Sequence, residues 1–153
     1  MQTLKVVRHG RIQDKSVHYT SPTAVINLVS KDMRRLDREH FVVLHLDVRQ
    51  NIIAKETVSI GTLNETYAHP REVFRAAVIN GSHAIILVHN HPSGDPTPSK
   101  ADLETTQRLD DAAEIMGIDI LDHIIIGSKT HWSFKSMAAL YKNIIKKQEG
   151  AKK

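Results

Sequence analysis

Ala84-Ile85-Ile86-Leu87-Val88-His89-Asn90-His91-Pro92-Ser93-Gly94-Asp95-Pro96-Thr97-Pro98-Ser99-Lys100-Ala101-Asp102 passes from a continuous apolar run into a stretch rich in histidine and proline. A short apolar run bounded by Ser82-His83 before and His89-Asn90-His91-Pro92 after predicts a strand buried on both faces in the middle of a sheet. Its carboxyl end is expected to emerge from the core at His89. Positions two apart in extended backbone point to the same side, so His89 and His91 present their imidazoles to one point while Asn90 faces away. The prolines and glycine form a loop that turns the chain back. Ser99 then caps a helix with Asp102 in its first turn, which returns a carboxylate to the histidine pair. Two imidazoles and one carboxylate suit Zn2+, and three protein ligands leave a fourth position for water, as in catalytic rather than structural zinc sites. The expectation is one zinc ion per chain, held by His89, His91 and Asp102.

Each of these residues also has an ordinary explanation. The chain has 10 histidines, and a histidine at a strand end is commonly just a polar exit from the core. Ser99-x-x-Asp102 is a variant of the capping box, and an aspartate near a helix amino terminus is favoured by the helix dipole alone. What favours a metal is the coincidence of strand end, same-side histidines and returning carboxylate. Capping and ligation need not compete, because Asp102 has two oxygens.

Working outward, Thr20-Ser21-Pro22 supplies an N-cap and a first-turn proline ahead of Ala24, Val25, Leu28 and Val29, predicting a helix from Pro22 to Met33. Phe41 to Leu46 and Ile52 to Ile60 are rich in β-branched and apolar residues, and Arg49-Gln50-Asn51 between them suggests a hairpin. Pro70 opens a second helix that Asn80-Gly81 stops. After Ser99 a third helix carries Leu103, Leu109, Ala112, Ala113 and Met116 as an apolar stripe and ends at Gly117. Ile118 to Ile126, interrupted by Asp119 and Asp122, and the segment near Trp132 to Phe134 read as further strands. Helices interspersed among strands, with hairpin-like pairs at both ends, predict an α/β fold: a mixed central β-sheet flanked by helices.

The bulk properties bound the function. At 153 residues the chain has the length of one domain with one real core. The hydrophobic fraction of 41% and charged fraction of 25% are those of a soluble globular protein, and no apolar run approaches a membrane span. Met1 to Gly10 has no apolar h-region, so no secretory signal is expected, and the chain has no cysteine, which excludes disulfides and thiolate ligands. A cytoplasmic location without membrane association is expected. The net charge of +4 resides in residues 141–153, where Lys142, Lys146, Lys147, Lys152 and Lys153 face Glu149 alone. Residues 1–140 are balanced, with 16 basic and 16 acidic side chains. The basic tail is expected to be a solvated terminus, and Arg34, Arg35 and Arg38, interleaved with Asp32, Asp37 and Glu39, a solvated helix end.

His-x-His, seven residues, Ser, two residues and Asp resembles the JAMM signature of JAB/MPN-domain metalloproteases, met by His89, His91, Ser99 and Asp102. Together with Arg38-Glu39-His40-Phe41, His69-Pro70-Arg71-Glu72-Val73 and Leu121-Asp122-His123-Ile124-Ile125-Ile126-Gly127, this stretch resembles the RadC family of bacterial and mobile-element proteins, from about residue 20 to 140. The resemblance implies an MPN/JAB fold of cytidine-deaminase-like type over residues 20–140, with an amino-terminal extension over 1–19 and a basic tail over 141–153. It implies one zinc ion with a water in the fourth position and hydrolysis of an amide or isopeptide bond. RadC-like proteins are named for DNA repair, and larger relatives carry a helical segment of helix-hairpin-helix type before the JAB domain. Here about twenty residues precede the first helix.

The resemblance also places a glutamate at the start of the first core strand, where Glu39 stands, as general base. Glu56 in the next strand is the competing candidate, because the choice turns on reach. Ser99, if its hydroxyl is not consumed by capping, is a candidate donor to a developing oxyanion. Three functions are carried forward: a zinc peptidase or isopeptidase acting on a polypeptide substrate, a nucleic-acid-associated factor, and a noncatalytic MPN scaffold. The balanced charge of residues 1–140 weighs against the second and the complete ligand set against the third. The oligomeric state is left open.

Overall fold

The computed structural model describes residues 18–61 and 68–138. The basic tail and most of the amino-terminal extension lie outside these residues. In chain order the elements are α1 (Pro22–Met33), β1 (His40–Leu46), β2 (Ile52–Ile60), α2 (Pro70–Asn80), β3 (Ala84–Asn90), α3 (Lys100–Met116), β4 (Asp119–Ile126) and β5 (His131–Ser133). They form a five-stranded sheet in the order β2-β1-β3-β4-β5. The hairpin β1–β2 is antiparallel, as are β1–β3 and β4–β5, while β3 and β4 run parallel, joined by α3. The sheet is therefore mixed, as expected. No helix among the described residues is long and apolar enough to cross a membrane.

Local chemistry explains the helix bounds. Pro22 and Pro70 sit in the first turns of α1 and α2, where a missing N–H costs nothing. Ser21 takes the extended N-cap conformation, but its side chain makes no cap bond. Gly81 and Gly117 end α2 and α3 in the left-handed region, at φ 63° and 65°, which a residue with a Cβ enters only at a cost. Within α3 the buried stripe is Leu103, Thr106, Leu109 and Ala113, with Ala112 partly buried. Met116, expected on that stripe, is exposed. The hydroxyl of Thr106 occupies a place where the apolar pattern shows a gap.

Strand alternation sorts the core into two layers. Val42, Leu44 and Leu46 of β1 and Ala84, Ile86 and Val88 of β3 pack with Val25, Ile26, Val29 and Met33 of α1. Phe41, Val43, Ile85 and Leu87 pack on the other face with Val73, Phe74 and Ala77 of α2 and Leu109 and Ala113 of α3. His89 continues the parity of Ile85 and Leu87, so its ring lies on the α2/α3 side. All seven residues of β3 are buried. His89 therefore does not emerge from the core: β3 runs two residues further than its apolar run, to Asn90, with β1 on one side and β4 on the other.

A register shift between β3 and β4 has a direct bearing on the site. Ile85 pairs with Ile120 but Ile86 pairs with Asp122, so Leu121 is an extra residue in β4. Such a bulge reverses side-chain parity. It lets Ile120 join the α2/α3 layer and still directs His123 to that same side, against His89. Asp122 faces the opposite layer, where Tyr19 Oη, Ser133 Oγ and the Lys135 amide donate to its carboxylate. Burial raises the Asp122 pKa, against the lowering effect of these bonds.

His45, fully buried on β1, has Nδ1 2.8 Å from Ser82 Oγ, and burial pushes its pKa down to about 4 from 6.5. Above pH 6.5 the residue is neutral whether the chain is folded or not. Between pH 6.5 and 4 the unfolded chain takes up a proton that the folded chain refuses, so stability falls with pH. The loss is about 3 kcal/mol from this residue. In urea titrations at pH 7 and pH 4, His45→Gln should lose less stability on acidification than the parent by roughly this amount; equal losses would overturn the assignment.

Candidate metal centre

At the carboxyl end of β3 the side chains of His89, His91 and Asp102 each offer a ligand atom, and these atoms lie within 4.8 Å of one another. His89 Nε2 is 3.0 Å from His91 Nε2 and 3.2 Å from Asp102 Oδ1, and His91 Nε2 is 3.2 Å from Asp102 Oδ2. Tetrahedral zinc with bonds of about 2.0–2.1 Å separates its ligands by roughly 3.3 Å, so the spacing of the two nitrogens from each other and from the carboxylate suits one ion of that size. The donor set, two imidazoles and a carboxylate in a chain without cysteine, fits zinc by chemistry as well.

Asp102 reaches this point through the start of α3. Ser99 Oγ accepts from the Asp102 amide at 3.1 Å, and the Ser99 amide donates to Asp102 Oδ2 at 2.7 Å, a reciprocal capping box. One carboxylate thus caps the helix and faces both histidines. Burial alone raises its pKa, but the neighbouring His89 and His91 imidazoles and the Ser99 amide outweigh that and hold it well below the usual carboxylate range. Burial works against charge on His91, yet the bond to Asp102, the Asp95 carbonyl and the charges of Asp102 and Glu39 carry its pKa upward.

The loop orients His91. Nδ1 is 2.7 Å from the Asp95 carbonyl, which can only accept, so Nδ1 carries a proton and Nε2 is the nitrogen that faces Asp102 and His89. The loop is clipped to the turn after β4. The Ser128 amide donates to the Gly94 carbonyl at 3.0 Å, and a Cβ on Gly127 would come within 2.5 Å of that same oxygen. Gly94 itself sits at φ 90°, with its open side against Ser128 Oγ.

Glu39 lies immediately before β1, with Oε1 4.0 Å from His89 Nε2. Its backbone is held by Asn90, whose Oδ1 accepts from the His40 amide at 2.8 Å and whose Nδ2 donates to the Arg38 carbonyl at 3.0 Å. The Gly61 amide donates to the Glu39 carbonyl at 2.8 Å. Glu56, the competing candidate, is on β2 opposite Val43. It stands two strands from His89, and two residues further into the sheet than Phe41, the His89 partner on β1.

Asn90, His123 and Thr106 hold the site in ways that their sequence neighbours do not disclose. Asn90 was read only as facing away from the histidines. His123 Nε2 is 2.8 Å from His89 Nδ1, and its Nδ1 is 2.7 Å from Thr106 Oγ. Phe134 stacks on the His123 ring, and Phe41 stacks on His89. Burial pushes the His123 pKa well below its ordinary value. The available signal for Thr106 was a hydroxyl three residues from Leu103 and three from Leu109, on a stripe that must be buried, where a polar group needs a partner.

A mixed sheet between helices, carrying a candidate two-histidine, one-aspartate metal site at the end of its central strand, defines a protein of JAB/MPN type. Residues 19–139 match the RadC-like JAB domain, and the chain belongs to that family. It is 54% identical over 123 residues to a UPF0758 protein of Caldanaerobacter subterraneus subsp. tengcongensis, covering 80% of this chain and 53% of the relative. A UPF0758 protein of Desulforamulus reducens is 55% identical over 115 residues, covering 75% and 51%. One from Staphylococcus haemolyticus is 50% identical over 125 residues, covering 82% and 55%. The chain spans about half the length of these curated relatives.

Two outcomes follow for the purified protein. Metal analysis should find about one zinc per chain, lost in His89→Ala, His91→Ala and Asp102→Ala; unchanged zinc content in the two histidine variants would remove the site. Asn90→Leu should cost about 1–3 kcal/mol in urea unfolding by leaving the Arg38 carbonyl and His40 amide without their partner. A stability equal to the parent would show that water replaces both bonds.

Proposed function

We propose that this chain is a zinc-dependent hydrolase of amide or isopeptide bonds with a polypeptide substrate. The observation that carries the reading is a carboxylate, Glu39, reaching to 4.0 Å of His89 Nε2 beside ligand atoms whose spacing suits one ion. Zinc held by His89, His91 and Asp102 would supply Lewis acidity, making water a stronger acid and polarising the carbonyl beside it. A balanced charge over residues 1–140 supports a polypeptide over a nucleic acid, whose phosphates call for a basic surface.

The protein's own groups account for the proton traffic. As the water oxygen attacks the carbonyl carbon, Glu39 takes a water proton on its carboxylate. It returns that proton to the leaving nitrogen as the carbon–nitrogen bond breaks. Asn90 holds the backbone on both sides of Glu39, so the base starts from a fixed position. Ser99 Oγ is used as an acceptor by its cap bond, which leaves the hydroxyl proton for a carbonyl oxygen gaining negative charge. Phe41, stacked at 5.7 Å on His89, keeps water from the far side of that ring.

Glu39→Gln keeps the shape of the side chain but cannot take up the proton. It should bind zinc as the parent does and lose about 10²- to 10⁴-fold in the rate of cleaving a peptide recovered from an unbiased library. Glu56→Gln should change that rate little. Full turnover in Glu39→Gln with loss in Glu56→Gln would transfer the role of base to Glu56. If zinc-loaded parent protein cuts no peptide or isopeptide bond, the hydrolase reading gives way to a noncatalytic scaffold.

A further inference from the structure

We propose that Thr106 and His123 are positioning residues that lock His89 into the tautomer protonated on Nδ1, leaving Nε2 bare for a cation. The inference rests on the metal-site reading above and extends it to residues that touch no ion themselves.

Thr106 Oγ lies 2.7 Å from the Asp102 backbone carbonyl and 2.7 Å from His123 Nδ1. A hydroxyl has one proton, and a carbonyl has none to give, so the Thr106 proton goes to the Asp102 carbonyl. The hydroxyl then meets His123 Nδ1 as an acceptor, and Nδ1 must carry the imidazole proton. His123 Nε2 is left with a lone pair, 2.8 Å from His89 Nδ1. His89 satisfies it by carrying its own proton on Nδ1, which bares Nε2 at the point where His91 and Asp102 converge. Running the chain the other way would set the Thr106 and Asp102 oxygens lone pair to lone pair at 2.7 Å. It would also place the His89 proton between the candidate ligands.

The chain of bonds closes on itself. Asp102 Oδ1 is 3.2 Å from His89 Nε2, and the backbone of that same Asp102 receives the Thr106 proton. The carboxylate that would share the cation with His89 is thus attached to the carbonyl that decides where the His89 proton sits. His123 and Thr106 are 1% and 3% exposed, so their polar atoms are satisfied by protein partners. Histidine ligands are generally held by a carboxylate, carbonyl or water on the second nitrogen, and removing such a partner costs about 10- to 100-fold in metal affinity. Here a second histidine fills that place and a hydroxyl orients it.

The test uses the full chain as the parent, Thr106→Val, Thr106→Ser and His89→Ala. Zinc affinity is measured by competition with a chromophoric chelator, and imidazole tautomers by long-range proton–nitrogen correlation spectra. His123 should be protonated on Nδ1 in the parent, and His89 on Nδ1 when zinc is bound. Thr106→Val should weaken zinc binding about 10- to 100-fold and lose that His123 signature, and Thr106→Ser should restore both. The spectra of the parent stand as a test even if Thr106→Val does not fold: His123 protonated on Nε2 would overturn the proposal. So would Thr106→Val binding zinc as tightly as the parent while His89→Ala does not. If His89→Ala itself binds zinc like the parent, the failure belongs to the metal site.

Discussion

The site depends on the burial of the end of β3. A central strand that ran apolar to its last residue would need only packing, but this one keeps its neighbours on both sides through His89 and Asn90. Polar groups without water must find partners in the protein or cost the fold dearly. Asn90 meets that demand on the backbone around Glu39, and His89 meets it through His123 on one nitrogen and Asp102 on the other. The requirement for satisfaction recruits residues from β1, α3 and β4 to one place.

Much of this arrangement could be read from the sequence, because its signals are local. Proline and glycine set the ends of α2, an uninterrupted apolar run marked β3, and the two-residue spacing of His89 and His91 put both rings on one side. Ser99 and Asp102 are three residues apart, so their reciprocal bonds follow from helix geometry alone. These features need no knowledge of what lies far along the chain.

What escaped the sequence reading is non-local. Asn90 acts on backbone about fifty residues away, and His123 meets His89 across a strand pairing 34 residues apart. The bulge at Leu121 makes His123 harder to place, since simple alternation from Ile120 sends it to the wrong face. The expectation that His89 leaves the core rested on apolarity alone, which cannot distinguish a residue that ends a strand from one paid for by buried partners. Thr106 was passed over for the same reason: a polar residue on a buried stripe looks like an imperfection until its partner is known.

The clip between Gly94 and the Gly127–Ser128 turn bears on the entropy of the site. His91 and Asp102 are separated by ten residues, and bringing the ends of a free segment of that length together carries a loop-closure cost. Here Pro92, Pro96 and Pro98 fix their own φ angles, and Asp95 accepts from the amide and hydroxyl of Thr97. The Ser128 bond to Gly94 divides the segment into shorter spans. Folding has therefore already restricted this chain before any ion arrives. The affinity of such a site for a cation would reflect the strength of its donors with little deduction for ordering the loop that carries them.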